Sequence, residues 1–138
     1  MDTNSTLSWR NRLRRRLRRE DGYAGTAIAF PAVLVLVFVL FQFGFWYIGQ
    51  TVAQAAAENA YQQGRSYQAT NQDGVDAGNA SLKTNGGLLQ DTQVVVTRGT
   101  DTVTATVTGH AFIMIPYLQL PPITVTLTGP IEKWVPAP

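Results

Sequence analysis

The longest pattern along the chain is an apolar run over residues 27–47, AIAFPAVLVLVFVLFQFGFWY, in which Gln42 is the only strongly polar side chain. An α-helix rises about 1.5 Å per residue and the hydrocarbon core of a bilayer is about 30 Å thick, so about 20 apolar residues suffice to cross it. The run therefore predicts one membrane span, and we assign residues 23–48 to a transmembrane helix.

Residues 49–70 follow the span without an early helix breaker and are rich in alanine and glutamine, which are good helix formers. Val52, Ala56 and Ala60 recur at the spacing of one helical face. We predict that the helix continues as a stem to Gly64 or beyond. Its small residues would let either a partner helix or the chain's own domain approach closely, although helix propensity alone explains the alanines equally well.

The C-terminal part of the chain alternates with a period of two. Two β-branched runs, TQVVVTR and DTVTATVTG, are joined by Gly99 and Thr100, which predicts a hairpin. Residues 123–128, ITVTLT, repeat the alternation and predict a third strand. We therefore expect an α+β fold in which a long N-terminal helix packs on a small antiparallel sheet of three to four strands. Residues 71–138 are assigned to this β-rich domain.

Two connecting segments are harder to interpret. Residues 71–87, NQDGVDAGNASLKTNGG, are full of turn-forming residues, with VDAGNASLK as a candidate short helix weakened by Gly78 and Asn79. The segment HAFIMIPYLQLPP, residues 110–122, is apolar and contains three prolines. It forms either a crossing segment tucked under the sheet or an exposed contact patch.

Charge orients the predicted span. Residues 1–21 hold seven arginines and three acids, a net +4, whereas the rest of the chain has a net charge of −2. The positive-inside tendency keeps residues 1–22 in the cytoplasm as a basic leader and places the C-terminal domain outside, with Trp46 and Tyr47 at the outer headgroup level. Because the basic excess is confined to this flank, we expect contact with membrane lipid and no nucleic-acid partner.

A cleaved secretory signal peptide is the main rival interpretation of the apolar run. Its hydrophobic region would be only about 7 to 15 residues long and would end at a small-residue site. The alanines of residues 53–57, AQAAA, could supply such a site. The length of the run favours a retained signal anchor.

Catalytic chemistry finds little support in the sequence. His110 is the only histidine, cysteine is absent, and no serine lies in a nucleophile-elbow context. Asp73 and Asp76 are too few and too widely spaced for a calcium loop. We therefore expect no enzyme activity, no catalytic residues, no cofactor and no metal site. Without disulfides, the outer domain must be held by packing alone.

An arginine-rich leader is followed by EDGYAGTAIAFPAVLVLVF, and the helix continues into AAAENAYQQGRSYQA. VTRGTDTVTATVTG comes next, followed by a proline-bracketed segment and a last strand. In this order, the segments resemble the TadE-like proteins of actinobacteria. These are pseudopilins, or minor pilins, of tight-adherence pili, a branch of the type IV pilus and type II secretion group. The resemblance covers most of the chain and implies a pilin-like fold, a cell-membrane or pilus location and a role connected with secretion or cell adhesion.

The resemblance also implies a leader-cleavage site. The family carries a glycine before the bond that a prepilin peptidase cuts, and Gly22 matches it, which would leave Tyr23 as the new N-terminus. The family's glutamate at the fifth processed position is replaced here by Ala27. This departure favours a minor, initiating or membrane-resident component over the main structural pilin.

The function that the resemblance implies is assembly with other pilin-like subunits and the pilus assembly machinery. Gln42, Gly44 and Gly49 are the predicted helix-assembly residues, because small or polar residues in a span favour contact with another helix. The alternative is a membrane-anchored extracytoplasmic binding module. Close packing of the helix with pilin-like partners would favour the first function, and activity that survives replacement of the span would favour the second.

Overall fold

A computed structural model describes the backbone of residues 4–85 and 87–136, and the side chains of residues 23, 25–85 and 87–136. The fold is α+β, as predicted. Its elements in chain order are α1 (Asn4–Arg65), α2 (Asn71–Thr84), β1 (Leu89–Arg98), β2 (Thr102–Ala111) and β3 (Ile123–Pro130).

The chain divides into two compact units, Met1–Val39 and Leu40–Pro138. The division falls within α1 and inside the predicted transmembrane segment. The first unit, as far as it is described, consists of helix. The second contains the remainder of α1, together with α2 and the sheet.

The three strands form one antiparallel sheet in the order β1-β2-β3. Val103, Ala105 and Val107 on the central strand are fully buried, which confirms the alternation predicted for β2. The interleaved threonines lie on the opposite face, where the hydroxyls of Thr104 and Thr128 are 3.0 Å apart. On β3, Ile123 is buried, and Val125 and Leu127 are half-buried against the core.

The C-terminal part of α1 covers the buried face of the sheet, and the helix residues in contact with the sheet are small. Ala53, Ala56, Ala57 and Ala60 are fully buried in the core. Their lack of bulk lets the sheet lie close to the helix, and the partner is the chain's own domain. Three alanines of the rival signal-peptide site, Ala53, Ala56 and Ala57, are thus part of the hydrophobic core, whereas Ala55 is exposed.

Contacts at two glycines, one at each end of this interface, show the direction of the strands. A Cβ on Gly49 would lie 3.1 Å from Ile123 Cδ1 and 3.5 Å from Ala111 Cβ, whereas one on Gly64 would lie 3.2 Å from Val103 Cγ2. Strand β2 therefore starts beside Gly64 and ends beside Gly49, antiparallel to α1. The connection from β2 to β3 leaves the sheet at the Gly49 end.

Helix α2 is longer than the short helix considered from sequence. Thr70 caps its N-terminus: the Thr70 hydroxyl accepts from the Asp73 backbone N–H at 3.2 Å, and the Asp73 carboxylate accepts from the Thr70 N–H at 2.7 Å. Gly74 and Gly78 are both buried. A Cβ at Gly78 would come within 2.8 Å of Val94 and 3.1 Å of Ala60, so the glycines that weaken helix propensity are the ones that allow α2 to pack on β1 and α1.

Candidate assembly surface

The apolar part of α1 carries a large exposed surface in each unit. Within the described residues, α1 supplies the one helix that is long and apolar enough, by length and composition, to cross a membrane. Side chains exposed in the first unit include Ile28, Phe30, Val33, Val35 and Leu36. Those exposed in the second include Leu40, Phe41, Phe43, Tyr47 and Ile48.

Gln42, the single amide of the apolar run, is only 1% exposed. Its Nε2 donates to the carbonyl oxygen of Phe112 at 2.9 Å, and its Oε1 accepts from the backbone N–H of Met114 at 2.8 Å. Both ends of the amide are therefore paired with the connection between β2 and β3. Close by, the rings of Phe45 and Phe112 meet edge to face, with centroids 5.7 Å apart.

The other two predicted assembly residues lie in different surroundings. Gly49 is buried against Ile123, Leu89 and Ala111, so the chain's own sheet covers this position. A Cβ at Gly44 would meet no atom of the described side chains or backbone within 4 Å. Of the three positions, Gly44 is thus the one open to an approaching helix, and its contact with another subunit stays a prediction.

The aromatic pair predicted for the headgroup level is divided between two environments. Tyr47 is 70% exposed, whereas Trp46 packs against the core, and its buried indole Nε1 has no hydrogen-bond partner among the described residues. Gly22 and Tyr23, the predicted cleavage pair, both lie within α1, and the Tyr23 side chain is exposed. Cleavage between them remains a prediction.

The connection between β2 and β3 contains the apolar segment singled out in the sequence. We call residues 112–120, FIMIPYLQL, the proximal loop. It extends past the Gly49 end of the sheet to the level of Gln42. Most of its large side chains are exposed: Phe112, Ile113, Met114, Tyr117 and Leu118. Of the two alternatives left open by the sequence, a segment tucked under the sheet and an exposed patch, the proximal loop thus matches the second.

The pairing of Gln42 with the proximal loop was missed by the sequence analysis. The signals were present, namely an isolated amide in an apolar helix and an apolar, proline-containing connection. They are separated by 70 residues, however, and pattern alone does not join them.

A wide, open groove of about 780 Å³ lies between the end of α1 and strand β3. Its lining includes Glu58, Tyr61, Arg65 and Glu132. The Arg65 guanidinium donates to the Glu132 carboxylate at 2.8 Å and stands 5.6 Å from the centre of the Tyr61 ring. This polar surface differs in character from the apolar helix and could hold a charged or hydrogen-bonding ligand.

The ionisable residues considered from sequence are dispersed. His110 is an exposed residue of β2 opposite Gln90, and Asp76 accepts a hydrogen bond from Gln72 on α2. The backbone and hydroxyl of Thr70 hold the pKa of Asp73 below its ordinary value. Among the described residues, no three His, Cys, Asp or Glu side chains gather as metal ligands.

Comparison with protein families shows that the model of the TadE-like protein family matches residues 26–60. The matched segment runs from the apolar helix to the alanine-rich stem. The resemblance is thus confirmed over this segment. The chain has no significant match among curated proteins or solved structures.

Proposed function

We propose, from the TadE-like segment at residues 26–60, that the protein is a single-pass minor pilin or pseudopilin that acts by helix-mediated assembly. The observation that carries the proposal is the division of α1 into two surfaces. One face, with Ala53, Ala56 and Ala60, is buried by the chain's own domain. Nearer the N-terminus, in the apolar run, α1 exposes Phe41, Phe43 and Gly44 to lipid or to other helices.

In this function α1 is stored in the bilayer and transferred to a bundle of pilin-like helices during assembly. The arginines of residues 1–22 keep the N-terminus in the cytoplasm, so the α+β domain lies outside the membrane. The protein binds its partners and catalyses no reaction. Prepilin peptidase, which would act after Gly22, and the pilus assembly machinery are its further proposed partners.

Crosslinking from the open face of α1 tests this function. The chain has no cysteine, so Gly44→Cys introduces a single thiol at a position with free space around it. Ala53→Cys is the matched control, because Ala53 lies on the same helix but is fully covered by the sheet. A photoreactive maleimide attached to the introduced thiol can join it to a partner that has no cysteine. We expect photo-crosslinks to other pilin-like subunits from position 44 in native membranes and none from position 53.

The result that would contradict assembly is equally specific. Absence of crosslinks from position 44, with crosslinks obtained only from the exposed α+β domain, would show that the helix is an anchor and makes no subunit contacts.

A second function, an anchored binding module, is favoured by the groove beside Arg65 and Glu132. A groove with an ion pair and an aromatic ring at its wall suits a polar extracytoplasmic ligand. This second function predicts that Glu132→Gln weakens binding of the ligand in the groove, and so impairs the protein's role in cells, even when crosslinking through position 44 is intact.

A further inference from the structure

We propose that the proximal loop, residues 112–120, inserts into the surface of the bilayer beside the span and forms a second membrane contact. The proposal rests on the membrane span of the proposed function. Its partner is the lipid itself, at the boundary between the headgroups and the acyl chains. The proximal loop would thereby fix the height and tilt of the α+β domain on the membrane.

The first observation is depth. The sheet ends beside Gly49, and the proximal loop continues to Gln42, which is about 10 Å further along a helix that rises 1.5 Å per residue. If Tyr47 lies at the headgroup level, as interfacial aromatic residues do, the backbone at Phe112 and Met114 lies about 7 Å deeper. Interfacial segments bury their apolar faces by about 5–10 Å, so the depth fits.

The second observation is the exposed surface of the proximal loop. Tyr117 is completely exposed, and Phe112, Ile113 and Met114 are about 40% exposed. This apolar surface lies against the apolar run of α1, where the rings of Phe112 and Phe45 meet beside the Gln42 contact, and therefore continues the surface that the span presents to lipid. Such contiguous apolar surface is unusual on a domain surrounded by water.

The third observation concerns polar groups, which are costly to bury in lipid unless they are paired. Gln42 pairs with the Phe112 carbonyl and the Met114 N–H, and the Leu118 N–H donates to the Ile115 carbonyl at 3.3 Å. Pro116, Pro121 and Pro122 have no N–H to satisfy. No residue between His110 and Glu132 carries a charge, so insertion removes no ionised side chain from water.

Lipid suits this surface better than a second copy of the chain or another subunit does. A protein partner recognised through matched charges would find none here, because no residue of the proximal loop is charged. Lipid needs only apolar surface at the correct depth, next to a span.

Fluorescence quenching in vesicles tests the proposal with the full-length protein. Single cysteines replace Ile113 or Tyr117 in the proximal loop and carry an environment-sensitive fluorophore. Val35 and Tyr47 give reference positions within the span and at its end, and Thr100, in the hairpin at the far end of the sheet, is the control exposed to water. Two sets of phosphatidylcholine vesicles are used: one contains lipid with a nitroxide near the headgroup, and the other contains lipid with a nitroxide near the end of an acyl chain, which reaches the depth of position 35.

We expect the labels at positions 113 and 117 to lose emission to the same degree as the label at position 47, with no loss at position 100. If positions 113 and 117 behave like position 100 while 35 and 47 are quenched, the proximal loop lies in water and the inference is wrong, although the span of the proposed function stands. If position 35 is not quenched either, the span itself fails. Disulfides between two copies of the unlabelled Tyr117→Cys variant, together with no quenching of the labelled variant, would show that a second copy covers the loop.

Discussion

At the scale of single residues, Gln42 has the most consequential placement, because its amide pairs with backbone groups of the proximal loop as a neighbouring strand would. It completes two hydrogen bonds to backbone groups at the end of the domain next to the apolar run. An amide within a predicted span suggested contact with another helix. Its nearly complete burial by the same chain gives it a positioning role.

Replacement of Gln42 by leucine tests that role. Leucine has a similar volume and suits the apolar run, but it leaves the Phe112 carbonyl and the Met114 N–H unpaired, at a cost of about 1–3 kcal/mol. We expect a lower unfolding midpoint in detergent and faster hydrogen exchange at residues 112–115. Phe43→Leu, at an exposed neighbouring position, is the control and should change neither. Equal exchange in Gln42→Leu and the unaltered protein would contradict the role.

Asp73 supplies a second residue-scale prediction, on pH. Its folded pKa is lowered by the backbone N–H and hydroxyl of Thr70, so the ionised form is stabilised by folding. The cap therefore contributes fully above the unfolded pKa, about 4, and its contribution is lost as the pH falls through the lower folded pKa. Thermal unfolding from pH 7 to 2 should show this decline, and Asp73→Asn should reduce it. A decline of unchanged size in Asp73→Asn would assign the pH dependence to other carboxylates.

At the scale of elements, the close packing of α1, α2 and β1 depends on side chains that are small or absent. Gly74 and Gly78 bring α2 against Val94, Val96 and Ala60. An alanine in place of either glycine would favour the isolated helix by up to about 1 kcal/mol, yet its methyl group has no room in the folded domain.

Gly78→Ala separates these opposing effects. The added Cβ would lie 2.8 Å from Val94, so β1 or α2 must shift, and overpacking of this kind costs about 1–3 kcal/mol. We expect a net loss of stability in chemical denaturation. Gly44→Ala, on a helix with open space around it, should be neutral or stabilising. A stabilised Gly78→Ala variant would mean that α2 packs more loosely than described.

The elements also show what the sequence can predict. Strands β2 and β3 were predictable because one face is buried and the other solvated, which imposes alternation on Val103 and Thr104 and their neighbours. Helix α2 was underestimated because its glycines lower local propensity, and their benefit arises only from tertiary contacts. The proximal loop was recognised as apolar, but its position depends on a contact with Gln42 that no local pattern specifies.

At the scale of the whole molecule, leader processing decides the form in which the chain functions. Cleavage after Gly22 would remove all seven arginines of the leader and leave Tyr23 as the N-terminus. We expect the intact mass of protein recovered from membranes to correspond to residues 23–138, and Gly22→Leu to restore the mass of residues 1–138. A full-length mass in the unaltered protein would show that Ala27, in place of the family's glutamate, accompanies loss of processing.

Exchange of the span tests the central claim, that the protein acts through its apolar helix, most directly. Residues 27–41 are replaced by an unrelated apolar span of the same length and Gly44 by leucine, which removes the proposed helix contacts, while Gln42, Phe45 and the proximal loop keep theirs. The chimera is compared with the unaltered protein for copurification with other pilin-like subunits from solubilised membranes. The account predicts a correctly inserted, folded chimera that no longer copurifies with these subunits. Undiminished copurification would contradict helix-mediated assembly and favour an anchored binding module.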